Sequence, residues 1–150
     1  MALRIGAKMP PLSGARQWIG EEVVGTELNG TPVLVHFWSV GCGLCKDQMP
    51  AVRRMMERFS DHGLRGIAVH VPRLEAERDV EDVRRSMQEL GMTEPCAVDN
   101  DYVITRRYEN QFVPAYFLFD EKGSMRARAA GAQGASIMRT ALERMFSATV

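Results

Sequence analysis

A short apolar segment followed at once by two closely spaced cysteines constrains this fold more than any other feature. The run PVLVHFW, residues 32–38, is rich in β-branched and aromatic side chains and predicts a buried strand. The spacing of the apolar residues that follow predicts a helix from about Cys42 to His62, kinked at Pro50. Cys42 and Cys45 therefore stand at the carboxyl end of a core strand, where open α/β sheets usually carry their sites.

The rest of the chain continues the alternation of strands and helices. The further strands are predicted at 64–71, 95–99, 115–120 and 124–130, and the further helices at 75–90, 102–109 and 136–146. The first 30 residues, rich in glycine and proline, predict an irregular or hairpin lead-in. We expect a single domain over residues 1–150, an α/β sandwich built on a central mixed β-sheet flanked by helices.

Composition limits the partners that this chain is expected to bind. Apolar residues make up 45% of the sequence and charged residues 25%, with 19 basic and 19 acidic side chains that are scattered along the chain. This balance argues against a nucleic-acid partner and against a membrane surface. The first residues contain no apolar run long enough for a signal peptide or anchor, which predicts a cytoplasmic protein.

The cysteine count directs attention to the C-x-x-C pair. Three cysteines are too few for a disulfide framework, and in a reducing compartment a close pair is more often redox-active or metal-binding than structural. A helix N-terminus favours the thiolate form of cysteine. Cys42 is therefore expected to attack a substrate disulfide, and Cys45, one turn later and less exposed, to resolve the mixed disulfide. Cys96, in an apolar strand, is expected to be a small buried hydrophobe.

Four segments resemble a known group of proteins, and they follow one another in the same order along nearly the whole chain. They are ELNGTPVLVHFW, WSVGCGLCKDQMP, the stretch from IAVHVPRLEAE to EPCAVD, and YENQFVPAYFLFDEKG. Together they resemble the TlpA/ResA-like thiol-disulfide oxidoreductases, a group of thioredoxin-like proteins related to the AhpC/TSA family. The resemblance implies a thioredoxin-like fold with an N-terminal extension and a central strand-helix insertion.

The same resemblance implies roles for residues outside the cysteine pair. Pro114 is expected to be a cis-proline that faces the disulfide and exposes the backbone of Val113 to an extended substrate. Trp38 is expected to pack beside the active site. His36 occupies the place of a buried carboxylate in thioredoxins, and two interpretations remain open. It either accepts the proton of Cys45, or it is a strand histidine whose nitrogens are satisfied by backbone groups or water.

The chain departs from the family pattern at three places, one of which is a pair of residues. Gln48 stands where ResA-like proteins often carry a glutamate, and an amide cannot titrate. Gly41 replaces a frequent tryptophan before the first cysteine. Gly43 and Leu44 differ from the Gly-Pro pair of thioredoxin, at positions that help to tune the reduction potential.

The sequence thus predicts a thiol-disulfide oxidoreductase without a cofactor, a monomer that reduces protein disulfides and whose partner is a disulfide-containing protein or a small thiol. Its electron donor is expected to be a thioredoxin or glutathione system. One alternative is a copper- or zinc-binding module, although the motif supplies only two of the four ligands of a tetrahedral site. Another is a thiol peroxidase, in which Ser39 would take the place of a threonine, whereas Val35 stands where those enzymes carry a proline.

Overall fold

The computed structural model describes residues 3–23 and 25–147. The strands are β1 Gln17–Ile19, β2 Val33–Trp38, β3 Arg65–His70, β4 Cys96–Val98, β5 Ala115–Phe119 and β6 Met125–Ala130. The α-helices are α1 Gly43–Ser60, α2 Val80–Leu90, α3 Val103–Arg107 and α4 Gly134–Ser147. Short 3-10 helices lie at Thr26–Leu28, Glu75–Arg78 and Gly131–Gln133. Within these described ranges, no helix combines the length and the apolar character needed to cross a bilayer.

The strands form one mixed sheet, which confirms the predicted fold class. Their order across the sheet is β1-β4-β3-β2-β5-β6. The neighbours β2, β3 and β4 run parallel, whereas β1, β5 and β6 pair antiparallel with their neighbours. Helical crossovers connect the parallel strands, as such connections require. The carboxyl end of β2 and the amino end of β5 therefore meet at the same end of the sheet.

The N-terminal lead-in is mostly irregular, which is one of the two forms predicted, and its short strand β1 forms no hairpin within residues 3–23. Strand β1 pairs instead with the distant β4, with Gln17 opposite Val98 and Ile19 opposite Cys96. Without this partner β4 would be an edge strand with unpaired backbone groups, and β1 covers that edge. A partner so far along the chain leaves no local signal in the sequence.

The helix predicted over 75–90 is interrupted. A 3-10 turn, Glu75–Arg78, comes first, and α2 begins only at Val80. Asp79 separates the two with an extended backbone, and its side chain accepts a hydrogen bond from the backbone N–H of Glu81 as the N-cap of α2. Gly91 ends the helix in the left-handed region, at φ 69°, as predicted.

The alternation of side chains along β2 decides what surrounds the cysteines. Leu34 and Trp38 point to the side covered by α1 and α4, in the same apolar cluster as Cys42 and Cys45. Val33, Val35 and Phe37, which alternate with them along the strand, pack on the opposite side of the sheet. Because successive side chains in a strand alternate, His36 shares the α1 side.

Candidate active site

The cysteine pair lies at the junction of β2 and α1, as predicted, and is closed into a disulfide. Cys42 is the N-cap of α1, and the two Cα atoms are 5.3 Å apart. The backbone N–H of Cys45 donates to Cys42 Sγ at 3.0 Å. Cys42 is 4% exposed and Cys45 1%, so the expected difference in exposure exists but is small. A donor aimed at the first sulfur at a helix N-terminus favours a negative charge on that sulfur.

The cis-proline occupies the neighbouring loop. The Val113–Pro114 peptide bond is cis, which is the geometry expected for it. Pro114 immediately precedes β5, and Ala115 pairs with Phe37 near the end of β2, so this loop and the disulfide lie at the same end of the sheet. Val113 is partly buried and packs against the apolar cluster that contains both cysteines.

The loop that precedes Cys42 is held by the end of β3 and the residue after it. The Ser39 hydroxyl donates to the carbonyl of Val71 at 2.5 Å, and the backbone N–H of Val40 donates to His70 Nε2 at 3.1 Å. Burial lowers the pKa of His70 to about 4, with Glu77 opposing and Arg73 reinforcing the shift. His70 is therefore neutral near pH 7 and can act as the acceptor. The imidazole of His70 is therefore bonded to the backbone of the loop before Cys42.

His36 is paired with a carboxylate that the sequence did not reveal. Its Nε2 lies 2.5 Å from Glu94 Oε2, with both side chains at least 96% buried. His36 is in register with Ala68 and Ala68 with Cys96, so Glu94, two residues before Cys96, reaches His36 past a small side chain. Burial by itself raises the pKa of Glu94, but the hydrogen bond and charge of His36 and local backbone N–H groups bring that pKa below its ordinary value.

Gln48, one turn beyond Cys45, is a fully used hydrogen-bonding group. Its Oε1 accepts from the Tyr116 hydroxyl at 2.8 Å and from the backbone N–H of Ala135 at 3.0 Å. Its Nε2 donates to the carbonyls of Gly131 and Ala132 at 2.7 and 3.1 Å. A glutamate could not donate to these two carbonyls, so an amide is the better residue here.

Trp38 and Cys96 complete the surroundings of the disulfide. Trp38 is buried in the cluster of the two redox cysteines, as expected, and its ring meets His70 edge-on with centroids 5.0 Å apart. Cys96 is free and completely buried, and desolvation raises the pKa of its thiol to about 12. A thiol in that state is neither a nucleophile nor a ready metal ligand. In the described part of the chain, no three His, Cys, Asp or Glu side chains gather as metal ligands.

The mixed sheet, the disulfide at the start of α1 and the cis-proline at the same end of the sheet define a thioredoxin-like protein. The chain belongs to the AhpC/TSA family, whose model matches residues 5–128. It is 36% identical over 148 residues to the thiol-disulfide oxidoreductase YkuV of Bacillus subtilis (strain 168), an alignment that covers 98% of this chain and 99% of that one.

Solved structures agree with this assignment. The solution structure of a thioredoxin-like protein in its oxidised form matches with a TM-score of 0.88 at 36% identity and covers 97% of this chain and 98% of its own. The crystal structure of a thiol:disulfide interchange protein DsbE from Chlorobium tepidum matches with a TM-score of 0.81 over 98% of both chains. At 23% identity that second match shows the fold alone.

Proposed function

We propose that the chain is a thiol-disulfide oxidoreductase in which Cys42 is the nucleophile and Cys45 the resolving thiol. The observation that carries this proposal is the Cys42–Cys45 disulfide at the N-cap of α1, at the same end of the sheet as the cis Val113–Pro114 bond. The names of the relatives agree with it.

The exchange runs in two balanced steps. The Cys42 thiolate attacks one sulfur of a substrate disulfide, so that a Cys42–substrate bond forms and the other substrate sulfur leaves as a thiolate, which takes up a proton. Cys45 then loses its proton and attacks Cys42 Sγ, forming the intramolecular disulfide and releasing the second substrate thiolate. The substrate has gained two electrons and two protons, and a thiol donor must return them to the cysteine pair.

The roles of the two cysteines follow from their places on α1. The N–H of Cys45 already points at Cys42 Sγ, and a charged acceptor strengthens such a bond. Cys45 lies inside the first turn of α1 and, at 1% against 4% exposure, is slightly the more buried of the two residues. Attack from outside therefore falls to Cys42, and the buried thiol is kept for the intramolecular step.

The surface beside the disulfide supports a protein substrate. Leu44, between the cysteines, and Phe112, before the cis bond, are large apolar side chains that are 38% and 65% exposed. An extended segment that carries a disulfide would place flanking apolar side chains against them and its backbone along Val113. The reducing direction, a thioredoxin- or glutathione-type donor, the cytoplasmic setting and the monomeric state remain predictions.

For His36 we propose a structural role, as in the second interpretation, but with a buried carboxylate as its partner instead of the expected backbone groups or water. Its Nε2 is engaged by Glu94 in the core. Glu94 accordingly occupies Nε2 of the imidazole, which is then not the acceptor of the Cys45 proton.

The alternatives find no supporting observation. The two thiols of the motif are bonded to each other, and the third is buried. The hydroxyl of Ser39, which a peroxidase would direct at the peroxide, is fully buried and committed to the carbonyl of Val71.

The test is disulfide reduction by the wild-type chain and by two single-cysteine variants. We expect Cys42→Ser to lose turnover, and Cys45→Ser to accumulate a mixed disulfide with the substrate, visible by mass after acid quenching. A reversible two-electron titration in glutathione or dithiothreitol buffers should accompany wild-type activity. Undiminished reduction by Cys42→Ser would contradict the proposal.

A further inference from the structure

A buried carboxylate that the exchange steps do not use lies beside residues 39–42, the loop between β2 and α1 that is called the redox loop below. The side chain of Glu77, in the 3-10 turn before α2, is only 7% exposed. Its Oε1 accepts from the backbone N–H of Arg73 at 2.6 Å, and its Oε2 lies 3.7 Å from Arg73 Nη2. Arg73 is itself 45% exposed, so solvent weakens the ion pair.

This carboxylate is packed on the residue that precedes the nucleophile. A Cβ atom added at Gly41 would overlap Glu77 Oε2, lie 3.4 Å from its Cδ and lie 3.6 Å from Arg73 Nη2, so the carboxylate is the nearer of the two charged groups. Glu77 thus fills the space that a side chain at position 41 would take. Because consecutive Cα atoms are about 3.8 Å apart, the carboxylate lies within about 8 Å of the Cα atom of Cys42.

The loop cannot easily move away from this charge. Hydrogen bonds from Ser39 to Val71 and from Val40 to His70 fix the loop that contains Gly41 to the end of β3, and the chain continues from there to Glu77. His70 carries no charge near neutral pH, because its pKa is lowered to about 4. The remaining charged groups at the start of α1, Lys46 and Asp47, are exposed and therefore screened by solvent.

We propose that Glu77 is a positioning residue whose buried charge opposes the thiolate of Cys42 and so directs the couple toward electron donation. A negative charge nearby disfavours the charged form of an acid. Since the reduced protein holds the thiolate and the disulfide holds no charge, the carboxylate favours the disulfide as product. This inference rests on the proposed function and adds to it the group that favours electron transfer from the cysteine pair to the substrate.

Two variants with opposite expected effects test the inference. Glu77→Gln keeps an acceptor for the N–H of Arg73 but removes the charge, and should lower the pKa of the Cys42 thiol by about half a unit to one unit. Arg73→Gln removes the compensating cation and should raise it. Glu75→Gln, at a 94% exposed side chain in the same turn, is the matched control and should leave it unchanged. The pKa is read from the pH dependence of thiol alkylation.

The redox equilibrium gives a second measurement. Against dithiothreitol, Glu77→Gln should favour the reduced form three- to tenfold above the thiol pKa, about 14–30 mV toward the oxidising side. The effect should shrink as the pH falls below the thiol pKa of both proteins, because the protonated thiol carries no charge for Glu77 to oppose. If the two substitutions acted only by loosening the loop, Glu77→Gln and Arg73→Gln would shift the thiol pKa and the redox equilibrium in the same direction.

The outcomes separate this inference from the proposed function. If folded Glu77→Gln has the wild-type thiol pKa and potential, or if both variants shift alike, the role of Glu77 is wrong while the exchange chemistry stands. If the wild-type chain forms no reversible Cys42–Cys45 couple, the proposed function fails first. Circular dichroism and melting curves establish that each variant is folded.

Discussion

Glu94 and Glu77 are both buried, but the structure holds them with different partners. Glu94 is paired with the imidazole of His36 in the core, under the helix that carries the cysteines. Glu77 is held by a backbone N–H and a half-exposed arginine, on the loop next to the nucleophile. A core carboxylate with one buried partner matters mainly for stability, whereas one that contacts the redox loop acts on the thiol. The following variants test whether these two effects can be separated.

The largest expected effect comes from removing His36. We expect His36→Ala to lower the free energy of unfolding by about 3–5 kcal/mol, because it leaves a buried carboxylate without its partner. Urea denaturation of the oxidised protein measures this loss, and the double variant His36→Leu, Glu94→Gln should recover part of it. If His36→Ala shifts the thiol pKa of Cys42 more than Glu77→Gln does, the division between the two carboxylates is wrong.

A smaller, pH-dependent effect is expected for Glu94→Gln. The amide keeps a hydrogen bond to His36 but loses the charge, so the cost at neutral pH should be about 1–2 kcal/mol. Because the pKa of Glu94 is lower in the folded protein, the carboxylate contributes stability above its unfolded pKa of 4.5, and this is lost as pH falls through the folded pKa. The difference between wild type and variant should therefore shrink in acid below about pH 4.5. If the difference in the free energy of unfolding between wild type and Glu94→Gln instead grew in acid, the pKa of Glu94 would be raised in the folded protein.

Periodicity and turn chemistry predicted most of the fold. The apolar run of β2 and the stripe of α1 placed the cysteines correctly, since one strand and one helix are local features of the chain. The break before α2 also had a local signal that the prediction overlooked, because Asp79 directly before an apolar helical stretch is a typical N-cap. The contacts of the two buried carboxylates left no local signal in the sequence. Glu94 meets a histidine 58 residues away, and Glu77 meets Gly41 only because a 3-10 turn folds back on the redox loop.

The smallest expected effect comes from Gly41→Ala, which acts on Glu77 without changing it. Gly41 does not have the positive φ that favours glycine, so alanine adds no backbone strain. Its Cβ overlaps Glu77 Oε2 and should push the carboxylate outward, lowering the pKa of the Cys42 thiol by a few tenths of a unit. The charge moves but remains, so the shift should be smaller than that of Glu77→Gln. The decisive control is Gly41→Ala in the Glu77→Gln background, where no further shift is expected if both changes act through one group. Fully additive shifts would mean that the methyl group alters Cys42 directly and that the contact between Gly41 and Glu77 does not transmit the effect.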